Sequence, residues 1–172
     1  GVRRPQGTSP VSGTNRIARV DDRTLVAFRN TLDDDWLYRM TIDAGGVTAE
    51  TLQRDLFSGL QTDIWSADGR VFHTKGAVVD ATSLTALATL PVWGSVLAED
   101  GSGEVICVSN PATYPLSPPG VFVYELEEFG QVGFLDTGVR AGGVRKVLRI
   151  GPATIAIVHK NLIEVVQSKL FK

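Results

Sequence analysis

The sequence is short of nearly every residue type on which site chemistry is usually built. Among its 172 residues there is one cysteine, Cys107, and there are two histidines, His73 and His159. A single cysteine cannot close an internal disulfide, which excludes a disulfide framework and leaves the redox compartment open. It lies in the apolar run Val105-Ile106-Cys107-Val108, where a thiol reads as a small buried hydrophobe rather than a nucleophile. The two histidines fall in second-strand runs at matching positions, but two ligands without a third make no metal site. Charge of one sign is also missing, with 17 basic against 19 acidic residues and a net charge of -2. The nearest thing to a basic stripe is Arg140, Arg145, Lys146 and Arg149. On strands these residues alternate between faces, which argues against a nucleic-acid partner.

Long hydrophobic runs are absent as well. Nothing approaches the ~18 consecutive apolar residues of a membrane span. The opening Gly1-Val2-Arg3-Arg4-Pro5 carries no hydrophobic signal segment and no initiator methionine, which reads as a processed product or a piece of a longer chain. Helical periodicity is scarce too. Thr51 to Leu60, with Leu52, Leu56, Phe57 and Leu60, is the one stretch whose spacing suggests one or two helical turns.

What remains is an ordinary globular composition, 43% apolar and 21% charged, arranged as short β-branched runs cut by Gly, Asp, Asn and Pro. Residues 1–15 are Pro, Gly, Ser and Thr-rich and read as an arm or linker. From residue 16 onward the runs repeat. Four times an apolar run meets a tight turn and a second run leaves it: at Asp21-Asp22-Arg23, Asp68-Gly69, Asp100-Gly101-Ser102-Gly103 and Gly151-Pro152-Ala153. Asp-Gly between such runs is a strong hairpin signal, because it tolerates the positive φ angles of a two-residue turn. A third run follows each hairpin, at Trp36–Ile42, Ala77–Asp80, Val121–Leu126 and Leu162–Val166. A fourth follows in the first three units, at Val47–Leu52, Ala86–Leu90 and Gln131–Leu135, and none follows in the last. The turns at Asp21, Asp68, Asp100 and Gly151 lie 47, 32 and 51 residues apart. Four strands per ~40–45 residues is the period of a propeller blade. The expected fold is therefore all-β, a β-propeller of about four blades or part of a larger one, over residues 16–60, 61–92, 93–140 and 141–172. A β-sandwich is the alternative. Val26, Phe28, Val71, Ile106, Val108, Val123, Ile155 and Ile157 are the expected core.

The segment Asp68-Gly69-Arg70-Val71-Phe72-His73-Thr74-Lys75-Gly76-Ala77-Val78-Val79-Asp80 runs turn, strand, glycine, then a short strand ending in Asp. In this it resembles the YVTN and quinoprotein-like blades of bacterial β-propeller repeat proteins. The resemblance covers most of the chain, from about Asn15 to Leu170, and implies a fold but no functional residues. The Gly-His and Trp-Asp marks of WD repeats are missing, and Trp36, Trp65 and Trp93 do not fall at matching blade positions.

Catalytic constellations are likewise not legible. No Gly-x-Ser-x-Gly elbow is present. Asp33-Asp34-Asp35 and Asp100-Gly101-Ser102-Gly103-Glu104 lack calcium-loop spacing and read as turns. Gly138-Val139-Arg140-Ala141-Gly142-Gly143 opens no helix that could hold a phosphate. The most distinctive loop is the insertion Asn110–Gly120, stiffened by four prolines, in which Tyr114, Pro115, Leu116 and Pro118 form a candidate ligand or partner surface. The expected function is a non-catalytic binding or scaffolding module with no cofactor, meeting a protein partner or another copy of itself. The repeat resemblance and the missing initiator methionine imply a segment of a secreted or cell-surface bacterial protein. The rival is a lactonase- or hydrolase-like propeller enzyme with a metal at its central channel.

Overall fold

A computed structural model describes residues 14, 16–30, 35–57, 62–109, 118–137 and 143–171. Every regular element among them is a strand. The first antiparallel sheet holds β1 (Arg16–Arg19), β2 (Thr24–Asn30), β3 (Asp35–Asp43) and β4 (Gly46–Arg54). The second holds β5 (Ile64–Ala67), β6 (Arg70–His73), β7 (Ala77–Asp80) and β8 (Ala86–Thr89). The third holds β9 (Gly94–Ala98), β10 (Glu104–Ser109), β11 (Val121–Glu125) and β12 (Gln131–Leu135). The fourth has three strands, β13 (Lys146–Gly151), β14 (Thr154–Val158) and β15 (Ile163–Gln167). In each sheet, strands adjacent in sequence are adjacent in space.

The turn chemistry accounts for the hairpins. Asp68 and Gly69 carry φ angles of 48° and 70°, the two left-handed positions of the tightest hairpin turn, and Ala67 pairs with Arg70 across it. The longer turn before β10 places Gly101 and Gly103 at φ 73° and 69°. The expected helix at Thr51–Leu60 is not formed over its described part. Leu52 lies in β4 opposite Tyr38, and Phe57 turns into an apolar cluster. The Leu52, Leu56, Phe57 spacing thus combines a strand residue with a bend that points inward, which imitates a helical face.

The chain divides into two compact units, residues 1–73 with 77–88 and residues 74–76 with 89–172. In the first unit, one cluster joins the first two sheets. Val26, Phe28 and Leu37 meet Ile64, Val71 and Val79, with Phe57 and Leu84 closing the sides. In the second unit, Ile106, Val108, Val121 and Val123 meet Val147, Ile155, Ile157 and Val166. All eight residues expected in the core are buried in one of these clusters. The residues opposite one another in register share a face, so period-two alternation sends one set into the cluster and the other set away from it.

The Asp at the end of β7 has a structural task. Its carboxylate accepts hydrogen bonds from the Thr82 and Ser83 amides, at 3.0 and 2.7 Å, and from the Ser83 hydroxyl at 2.8 Å. This closes the turn that delivers Leu84 to the core at φ 55°. The Ser83 amide first, and then the Ser83 hydroxyl, hold the Asp80 carboxyl below the usual carboxylate range. A lowered native value contributes stability above the unfolded value of ~3.9, and that contribution is lost as pH falls through the native value. Asp80→Asn keeps an acceptor oxygen and removes the titration. The melting-temperature gap between wild type and Asp80→Asn should therefore close as pH is lowered below ~4. A gap that stays constant from neutral pH into strong acid would show that Asp80 is not the titrating group.

Candidate functional site

The proline-rich loop expected to meet a partner lies largely outside the described residues. That applies to Tyr114, Pro115 and Leu116; Pro118 is exposed, just before β11. The arm of residues 1–15 is also outside them apart from Thr14, as are Asp33 and Asp34 and residues 138–142 of the glycine-rich stretch.

The chemically reactive side chains that are described are committed to packing. His73 ends β6, is almost fully buried, and stacks on Phe57 with ring centroids 4.4 Å apart and planes 7° apart. It meets Phe28 edge-on at 5.5 Å. His159 follows β14 directly, with Nε2 3.6 Å from the Glu164 carboxylate. Burial pushes the Cys107 thiol up to about 12, so it stays protonated at neutral pH. Burial, then Cys107, likewise pushes the Tyr124 hydroxyl up to about 12. Asp35 starts β3 opposite Asn30. Arg149 forms ion pairs with Glu99 and with the buried Glu104, the latter at 3.4 Å, so the last member of the basic stripe is neutralised within its own unit. Among the described residues, no group of three His, Cys, Asp or Glu side chains is placed to hold a metal ion.

The described surface is most distinctive on the face of the first sheet turned away from its core cluster. Register places Ala27, Tyr38 and Leu52 in one row across β2, β3 and β4, and Arg29, Trp36 and Arg54 in the next. Ala27, Tyr38 and Met40 form a small buried cluster flanked by the partly buried Leu25, Trp36 and Ala49. Around it Ile17 is 62%, Val47 44% and Leu52 38% exposed. Trp36 sits between two cations. The Arg54 guanidinium lies 4.2 Å, and that of Arg29 5.6 Å, from its ring centroid. Both distances fall within cation–π range. The Trp36 ring also meets Tyr38 at 5.9 Å. The Trp36 Nε1 and Arg29 Nε atoms are buried with no hydrogen-bond partner.

The fourth sheet also has an apolar outer face. Ala156 lies between Leu148 and Val165, with Val158 and Ile163 beside them. Ile163 and Val165 are more than three-fifths exposed. Apolar sheet faces of this breadth usually mark interaction surfaces.

No family model matches the chain, and no curated protein matches it in sequence. Among solved structures, its fold is similar to that of a chain in the complex of KlAtg21 with the coiled-coil of AgAtg16. The TM-score is 0.51 at 10% identity, over 91% of this chain and 66% of that one. This chain therefore spans just under two thirds of the length of the chain it resembles, and the likeness is one of fold.

Proposed function

We propose that the chain is an arc of a β-propeller that serves as a non-catalytic, protein-binding module. The observation that carries this reading is the set of exposed aliphatic side chains, Ile17, Val47 and Leu52, on the outer face of the first sheet, around the buried Ala27, Tyr38 and Met40 and beside the arginine-flanked Trp36. Three further points support it. The chain is a succession of four-stranded meanders at blade-like spacing, with three strands in the last. The solved structure of similar fold is a complex of KlAtg21 with the coiled-coil of AgAtg16. Asp80 and Glu125 close turns, and Arg149 pairs with Glu99 within its own unit. The bacterial, extracytoplasmic setting is an expectation from the repeat resemblance.

Site-specific photo-crosslinking tests the reading. A benzophenone side chain placed at Val47, on the outer face of the first sheet, should give adducts to another polypeptide when the chain is expressed in its native host. The same probe at Asp68, in a hairpin turn, should not. Equal labelling from both positions, or none from Val47, would overturn the module. Stoichiometric zinc or calcium in the purified protein would overturn its non-catalytic character in favour of the hydrolase. An experimental structure with two sheets stacked face to face as a sandwich would overturn the propeller.

A further inference from the structure

We infer that the outer face of the first sheet docks an acidic amphipathic segment of a separate protein, with carboxylates set against Arg29 and Arg54 beside Trp36. This rests on the binding-module reading and adds the chemistry of the partner.

The argument begins with the charges on that face. Alternation puts Arg19, Arg29 and Arg54 there, and among the described strand residues no carboxylate shares it. Glu50 sits at the β3–β4 bulge, and its carboxylate faces Arg39, 3.5 Å away. Arg19 is occupied by Asp22 in the β1–β2 turn. For Arg29 and Arg54, the contact made is the Trp36 ring. A guanidinium on an aromatic face keeps its in-plane N–H donors free for a planar anion, and a carboxylate matches that fork.

The apolar part of the face limits what else can occupy it. A phosphate backbone would satisfy the arginines and leave Ile17, Val47 and Leu52 in water. A second copy docked through its fourth sheet fits poorly. That sheet's outer face sets Lys146 opposite Val158 and contributes no carboxylate from the paired strand positions, so cations would meet cations. A segment with apolar residues on one side and Glu or Asp at its margins satisfies both halves of the face.

Two synthetic 18-residue helical peptides with the same leucine spacing, one with glutamate and the other with lysine at the polar positions, test this on the full chain. Binding is read by anisotropy of a peptide label. The glutamate peptide should bind at least tenfold more tightly than the lysine peptide and weaken with added salt. Arg29→Glu/Arg54→Glu, checked for fold by circular dichroism and melting, should reverse the preference. If the double variant does not fold, Arg54→Glu alone, at an exposed position, should reduce the preference severalfold. Equal binding of the two peptides, binding of neither, or an unchanged preference in the folded variant would overturn the inference. Phosphatidylserine vesicles binding where the glutamate peptide does not would assign the face to a membrane. Self-association abolished by the double variant would assign it to a second copy, and glutamate-peptide binding that appears only after removal of residues 1–15 would assign it to the chain's own arm. Crosslinks from Val47 to a partner, together with no peptide preference, would leave the module standing and remove only this assignment.

Discussion

Gly76→Ala is expected to be among the most damaging single substitutions in the chain, costing about 2–5 kcal/mol in a denaturant titration. Two costs coincide there. Gly76 has φ 85°, a conformation that side chains with a Cβ rarely adopt. A Cβ would also lie 2.1 Å from the Leu90 carbonyl oxygen and 3.0 Å from that of Val92. These are backbone atoms and cannot swing aside. The Leu90 amide donates to the Gly76 carbonyl at 2.8 Å, so moving the chain away breaks a hydrogen bond as well. Gly69→Ala separates the two costs. Gly69 has φ 70°, but no atom lies within 4 Å of its would-be Cβ. That variant should lose only the conformational part, about 1–2 kcal/mol. Equal losses at the two positions would show that the close approach at Gly76 is relieved at no cost.

Phe28→Ala should cost about 3–5 kcal/mol. The ring is 1% exposed and lies at the centre of the cluster between the first two sheets. It meets Phe57 edge-on at 5.3 Å and His73 at 5.5 Å. Truncation removes the transfer energy of the ring and leaves a void bounded by both sheets, whose backbones are fixed by their own ladders. Phe28→Leu, which retains much of the volume, should cost less than half as much. A loss under ~1 kcal/mol for the alanine variant would mean that the cluster collapses around the gap or that Phe28 is not central to it.

Why the strands were so legible and the site so obscure follows from where the information sits. Strand positions are written locally. Asp68-Gly69 can make one kind of turn, and the alternation in Thr154-Ile155-Ala156-Ile157-Val158 leaves one face to bury. The eight expected core residues are all buried for that reason. Thr51–Leu60 misled because Leu52 and Phe57 belong to different local structures that happen to be spaced like a helix face. The arginine-flanked tryptophan was invisible because its parts are distant in sequence. Arg29 reaches Trp36 across the β2–β3 pair, and Arg54 reaches it across β3–β4. Only register brings them together. Once four strands are aligned by their turns, the pattern could be read as one row of a sheet, Arg-Trp-Arg, but a linear scan for motifs passes over it. In the sequence Gly76 is one element of a repeat pattern; its close approach to the Leu90 carbonyl is a tertiary fact.

The strictly sequential strand order has a kinetic consequence. Each strand finds its partner across a short turn or loop of the same sheet, so the first pairings close small loops and lose little chain entropy. Contacts that span long stretches of sequence arise chiefly where sheets pack on one another, after the hairpins exist. A growing polypeptide can then complete its first sheet, Arg16 to Arg54, while the fourth is still unsynthesised. Such an order keeps unpaired strand edges short-lived, and leaves the packing of finished sheets on one another within each unit as the later, slower event.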